Sequence, residues 1–298
     1  FGDEGWQQEN TIMPTHQRGI GFVFQDARLF PHLDTLGNLR YGERRSHQPD
    51  GPSLEQVCQW LKLDDLLELY PRELSAGQQQ RVAIGRALIN HPEILFMDEP
   101  LANLDQSSRK EILQLLQQLQ GETDIPMVYV SHDMEEVARL ANWMVVMDAG
   151  SVVAEGPTLE LSSHLELALA HEEQAAAILH ANVTGQDPEF GLTQLEVDGH
   201  PLYVTSTANA ADSNIKLRIP ARDVSLCLSP PTDTSILNIL PVKVIEIESG
   251  DNNRLLVRLQ IGRQFLLARL TRKSIVSLGL KIGSSAFAQI KSVALLHD

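Results

Sequence analysis

Leu74-Ser75-Ala76-Gly77-Gln78-Gln79-Gln80-Arg81-Val82-Ala83 decides the reading of this chain, with Leu95-Phe96-Met97-Asp98-Glu99-Pro100 following it. A Ser-x-Gly at the opening of a helix offers a hydroxyl and unpaired backbone N–H groups to an anion. An Asp-Glu pair at the end of an apolar strand can hold Mg²⁺ and orient a water. Together the two stretches predict one half of a nucleotide-hydrolysing site. The other half, a glycine-rich phosphate loop ending in Gly-Lys, is expected upstream, and the sequence contains no Gly-Lys dipeptide.

Outward from this stretch, short apolar runs alternate with amphipathic ones. Ile20–Gln25 is β-favouring and reads as a buried strand. Leu54, Val57, Cys58, Leu61, Leu63, Leu66 and Leu67 recur at mostly helical spacing, which predicts a helix over 53–70. A second helix is expected over 77–90, and a buried strand over Ile94–Met97. Gln106–Gln120 reads as a helix with Ile112, Leu113, Leu115, Leu116 and Leu119 inward. Met127–Val130 is a strand and Met134–Leu140 a helix, and Trp143–Met147 and Val152–Ala154 form a hairpin around Asp148-Ala149-Gly150-Ser151. Such alternation means an α/β layer with parallel strands.

The character changes after Gly156-Pro157. Residues 158–180 read as helical, and short β-rich runs follow from about 181, separated by Gly, Asp, Asn and Pro clusters. They predict a small all-β barrel or sandwich, with Pro230-Pro231 dividing it into two pieces. The domains expected are 1–160, a connecting helical segment 161–180, and a β-rich regulatory domain 181–298 whose last part is 233–298.

Composition narrows the class. With 298 residues, 43% hydrophobic and 21% charged, the chain can bury a substantial core. No apolar run approaches the roughly 18 residues of a membrane span, and no secretory signal opens the sequence. The net charge of −15 is concentrated before residue 235, whereas 235–298 is basic on balance. An acidic α/β half argues against nucleic acid as a partner. Cys58 and Cys227 fit no metal or disulfide spacing and read as structural thiols.

Five elements occur in a definite order: Gln25 at a strand end, Leu74–Gln78 opening a helix, Asp98-Glu99-Pro100 ending a strand, Leu101-Ala102-Asn103-Leu104-Asp105, and Ser131-His132-Asp133 ending the next strand. On these motifs the first 160 residues or so resemble the ATP-binding subunits of ABC transporters. The resemblance implies a partial P-loop NTPase sheet with a helical subdomain. It implies that Ser75, Gly77 and Gln78 meet the γ-phosphate of ATP held by a second copy, with Ala76 where the pattern has glycine. Asp98 would bind Mg²⁺, Glu99 would be the general base, and His132 would contact the γ-phosphate. Gln25 would touch Mg²⁺ and the attacking water, and Asp105 would link the two sites at the subunit interface. Residues 26–73 would dock on the membrane permease, with Leu29-Phe30-Pro31-His32 gripping its coupling helix.

The family's phosphate loop and adenine-stacking aromatic precede the position of Gln25, where this sequence supplies 24 residues. The expectation is therefore an N-terminally truncated copy that is inactive alone.

The end of the chain narrows the substrate. Thr234–Pro241, Leu267–Ser274 and Ala288–Leu295 resemble the molybdate-binding β domain (Mop/TOBE), an OB-like barrel, and Leu217–Val224 resembles the segment before it in molybdate importer ATPases. A tetrahedral oxyanion wants N–H groups, hydroxyls and cations, so Ser235, Lys273, Ser274, Lys291 and Ser292 are the candidates, with Leu237 standing where stand-alone versions often carry Arg. The resemblance implies an ATP- and Mg²⁺-dependent energy-coupling subunit of a molybdate importer, with molybdate also a regulatory ligand. The subunit would be a homodimer, bound peripherally to permease subunits on the cytoplasmic face of the inner membrane and served indirectly by a periplasmic binding protein. The alternatives are an importer ATPase for sulfate, iron or sugar, and, for this polypeptide alone, a non-catalytic oxyanion-binding module.

Overall fold

The computed structural model describes residues 7–8, 11–14, 18–44, 51–167, 175–205, 215–248 and 253–296. The chain forms two units, Phe1–Asp133 and Met134–Asp298.

In the first unit, β1 (Gln7–Gln8) and β2 (Thr11–Ile12) make a short antiparallel ladder. There follow β3 (Ile20–Val23), α1 (Thr35–Glu43), α2 (Leu54–Leu61), α3 (Ala76–Leu88), β4 (Ile94–Asp98), α4 (Gln106–Glu122) and β5 (Met127–Val130). The sheet is parallel with order β3-β4-β5, pairing Val23 with Met97 and Asp98 with Val130. All three strands therefore end at one edge, where open α/β sheets place their ligands. Leu39, Leu61, Ile84, Leu88, Leu95, Met97 and Leu116 are buried as the core of this unit. Phe22, Val128 and Val130 stay exposed.

The expected helix over 53–70 stops early. Lys62 enters the left-handed region at φ 51° and ends α2, and a 3₁₀ turn, Asp64–Leu66, follows. Buried Arg81 donates to the carbonyls of Leu61 and Lys62 at 3.1 Å each, satisfying acceptors that α2 leaves open at its end. Helix α3 starts where the sequence predicts it, because Ser75 and Gln78 form a reciprocal capping box.

The second unit opens with α5 (Met134–Leu140), the hairpin β6 (Trp143–Asp148) and β7 (Ser151–Pro157), and α6 (Thr158–Leu161). Then come β8 (Ala176–Asp187), β9 (Leu192–Val197), β10 (His200–Val204), β11 (Ile215–Pro220) and β12 (Val224–Cys227). The chain ends with β13 (Asn238–Ile247), β14 (Arg254–Ile261), β15 (Gln264–Thr271), α7 (Arg272–Leu278), β16 (Ser285–Ile290) and β17 (Ala294–Leu295). Two features correct the sequence reading. Among the described residues of 158–180, helix is confined to the four residues of α6, and the chain is extended from Ala176, where helix was expected; residues 168–174 lie outside the described residues. Pro230-Pro231 also does not part the β structure. β12, before the prolines, joins the sheet β12-β16-β13-β14-β15, and β17, from the end of the chain, joins β10-β9-β8-β11-β17.

The first of these sheets is curled, so that its edge strands β12 and β15 lie against each other. One continuous core fills both sheets, from Leu179 and Leu217 to Leu256, Leu267 and Ala288. Two side-chain amides stitch strands that share no ladder. Asn238 accepts from Tyr203 N–H at 2.7 Å and donates to Tyr203 C=O at 2.9 Å. Gln264 does the same with His180, at 2.7 and 3.0 Å. Each amide thus stands in for a missing strand neighbour. Both cysteines are free, and burial pushes each thiol up.

Candidate active site at the strand ends

Asp98 is the last residue of β4 and is exposed; Glu99 follows it with φ 43°, a left-handed conformation that is unfavourable for a residue with a Cβ. Its N–H donates to Val130 C=O at 2.9 Å, which holds the turn, and Pro100 after it is buried. Strain of this kind concentrates where a side chain must be aimed. Here Glu99 Oε1 lies 3.2 Å from Nδ1 of His132. The Ser131 hydroxyl accepts from Asp133 N–H at 3.0 Å and fixes the turn that carries His132, while Arg109 pairs with Asp133 at 3.1 Å.

Gln25 stands at the same edge, two residues beyond β3, and is exposed. The structure thus assembles Gln25, Asp98, Glu99 and His132 at one edge of the sheet, with a direct contact between the last two. Among the described residues no three His, Cys, Asp or Glu side chains cluster as a complete metal site. That donor set fits Mg²⁺, which takes one or two protein oxygens and completes its shell with water and phosphate.

Ser75 caps α3: its Oγ accepts from Gln78 N–H at 3.3 Å, and Gln78 Oε1 accepts from Ser75 N–H at 2.8 Å. Ser75 remains exposed, and its hydroxyl, accepting from Gln78, keeps its own O–H as a donor. Ala76 occupies the first helical position and is not among the residues with positive φ, so the backbone there does not require glycine. Gly77 is buried, and a Cβ there would stand 2.9 Å from Ser108 Cβ, so α3 and α4 approach only as closely as glycine permits. Asp105 caps α4. Its carboxylate accepts from the N–H groups of Ser107 and Ser108 at 3.0 Å each and from both hydroxyls, and the Ser107 hydroxyl above all, with those of Ser108, holds it well below the usual carboxylate range.

Hydrogen bonds from three side chains that periodicity could not reveal surround Gln25. Gln80 donates to Phe24 C=O at 3.1 Å. Arg86 donates to Ala27 C=O at 3.2 Å and Arg28 C=O at 2.9 Å. Asn103 donates to Asp26 Oδ1 at 3.2 Å. Beside this loop, Phe22, Phe24, Arg28, Phe30, Tyr41 and Arg86 line a cavity of about 330 Å³. The Phe30 ring, from the Leu29–His32 stretch, sits 4.3 Å from that of Tyr41.

The oxyanion candidates of the second unit are less convergent. Ser235, Lys273, Lys291 and Ser292 are exposed. The Ser274 hydroxyl is engaged with Thr271, which caps α7. Lys291 N–H and the Ser292 hydroxyl both donate to Asp223, the latter to its carboxylate. An anion at Ser292 would therefore meet a negative charge.

The ABC transporter family model matches residues 3–102, and the TOBE domain model matches residues 234–296. The molybdenum import ATP-binding protein ModC of Hahella chejuensis is 46% identical over 99% of this chain and 83% of its own length. That of Methylococcus capsulatus is 45% identical over 100% of this chain and 84% of its own length.

Proposed function

The chain belongs to the family of molybdenum import ATP-binding proteins, and from that premise we propose that it is the ATP-hydrolysing, energy-coupling subunit of an ABC importer for molybdate. The observation that carries the catalytic part is the 3.2 Å approach of Glu99 to His132 at the strand ends, beside Asp98 and Gln25. In this reading Glu99 accepts a hydrogen bond from the attacking water and then its proton. His132 holds that carboxylate and donates to the γ-phosphate. Asp98 and Gln25 would hold Mg²⁺, which when bound neutralises phosphate charge. The Ser75 hydroxyl and the α3 N-terminus serve a nucleotide bound to a second copy, where their dipole and free donors favour an anion.

ATP would thus close two copies on each other, and hydrolysis would let them part. The aromatic cavity at Phe30 and Tyr41 supports the 26–73 region as the surface that takes the permease. Among the described residues no helix is long and apolar enough to cross a membrane, which fits a peripheral subunit held by such a partner on the cytoplasmic face. Molybdate as the transported ion rests on the relatives. The β domain as its sensor rests on the exposed cations Lys273 and Lys291, and the Asp223 contact weighs against Ser292 as a ligand.

The test is ATP hydrolysis by the full-length protein assembled with its permease. Glu99→Gln is expected to abolish turnover while ATP still binds; full activity in that variant would refute the assignment. Calorimetry with molybdate and with sulfate on the same protein separates the regulatory ligands, and a preference for sulfate would reverse the choice of anion.

A further inference from the structure

Helix α3 grips the chain on both sides of Gln25. Before it, Gln80 donates to Phe24 C=O at 3.1 Å, the first carbonyl beyond β3. After it, one Arg86 nitrogen donates to Ala27 and Arg28 C=O at 3.2 and 2.9 Å, while the other reaches Asn38 Oδ1 at 3.4 Å. Gln80 is only 2% exposed. The Arg86 guanidinium lies over the Phe30 ring, 5.1 Å from its centre, and burial pushes its pKa down. Its hydrogen-bond partners are neutral oxygens, and among the described residues no ion pair compensates its desolvation. An apolar side chain would fill the same space without that penalty. What the amide and the guanidinium add is direction: each fixes backbone carbonyls at a set angle and distance.

We infer that Gln80 and Arg86 are positioning residues for Gln25, holding its loop to the helix that Ser75 caps. The inference rests on the reading of Gln25 as a group at the hydrolysis site. Gln25 itself is exposed, so the path of its backbone determines where its amide can reach. Because Ser75 and Gln80 share one helix, a displacement of α3 by the nucleotide of a second copy moves the Gln25 loop of this copy. Ser75 and Gln25 thereby become two ends of one lever.

A double-mutant cycle on the full-length protein assembled with its permease tests this. Gln80→Leu is close in volume and lacks the donor; Arg86→Lys keeps the charge and loses the paired donors. Each is expected to lower kcat about ten-fold with KM for ATP unchanged, since misplacing a group near the reacting atoms costs rate rather than substrate affinity. Neither is expected to cause a further loss in a Gln25→Ala background. Fully additive losses, or a raised KM with unchanged kcat, would overturn the inference and leave Gln25's role intact. A fully active Gln25→Ala would withdraw Gln25 from the reaction and overturn both. Should Gln80→Leu fail to fold, the Arg86→Lys arm of the cycle decides alone.

Discussion

Glu99 Oε1 and His132 Nδ1 lie 3.2 Å apart, joining the ends of two neighbouring parallel strands. The contact exists because Glu99 adopts a left-handed turn directly after β4, anchored by its N–H bond to Val130. Glu99→Gln preserves the shape and the hydrogen bond to His132 but removes the proton acceptor. Turnover is expected to fall by roughly 10²–10⁴, with nucleotide binding intact, as checked by phosphate release and nucleotide titration on the same sample.

Gly77 limits how closely α3 meets α4. A Cβ at this position would sit 2.9 Å from Ser108 Cβ. Gly77→Ala gains helix propensity but overpacks this contact, so a net loss of about 1–2 kcal/mol is expected. Adding Ser108→Gly removes the opposing carbon and should recover part of the packing loss. Urea midpoints of the two single variants and the double variant measure the coupling.

The Asp105 carboxylate is stabilised by Ser107 and Ser108 and titrates below its ordinary range. A lowered folded-state pKa contributes stability that is fully present above the unfolded value, about 3.9 for Asp. The contribution is lost as pH falls through the depressed folded value. The stability difference between the parent and Asp105→Asn should therefore be flat from pH 8 to about 5 and shrink only in stronger acid. Thermal unfolding across that pH series is the measurement.

Asn238 provides both partners for the backbone of Tyr203. Asn238→Ala leaves two backbone groups unpaired and is expected to cost about 2 kcal/mol. Gln264→Ala should cost less, about 1 kcal/mol, because Gln264 is only half-buried. Hydrogen exchange should report the loss locally, at Tyr203 in the first variant and at His180 in the second.

Much of the architecture was legible along the chain. The leucines of Gln106–Gln120 and the run Met127–Val130 carry their periods openly, and the structure has α4 and β5 there. Ala175–Ala177 misled, because alanine favours helix in isolation. In the fold, β8 is extended because β11 pairs with its first half, Ala176 to Ala181, and β9 with its second, Asn182 to Asp187. The end of α2 at Lys62 was also illegible, since its carbonyls are satisfied by Arg81, 19 and 20 residues away.

The sequence by itself pointed to the family and singled out Gln25, Ser75, Asp98, Glu99, His132 and Asp105 as candidates, because each sits at or just beyond a helix start or strand end that local patterning marks. Tertiary structure decided which of them meet. The Glu99–His132 contact, the seat of Gly77 on Ser108 and the grip of Gln80 and Arg86 on the Gln25 loop join residues 31 to 59 positions apart. Local propensity acts over a few residues, whereas these distances are set by strand register and helix packing, which exist only once the chain has folded.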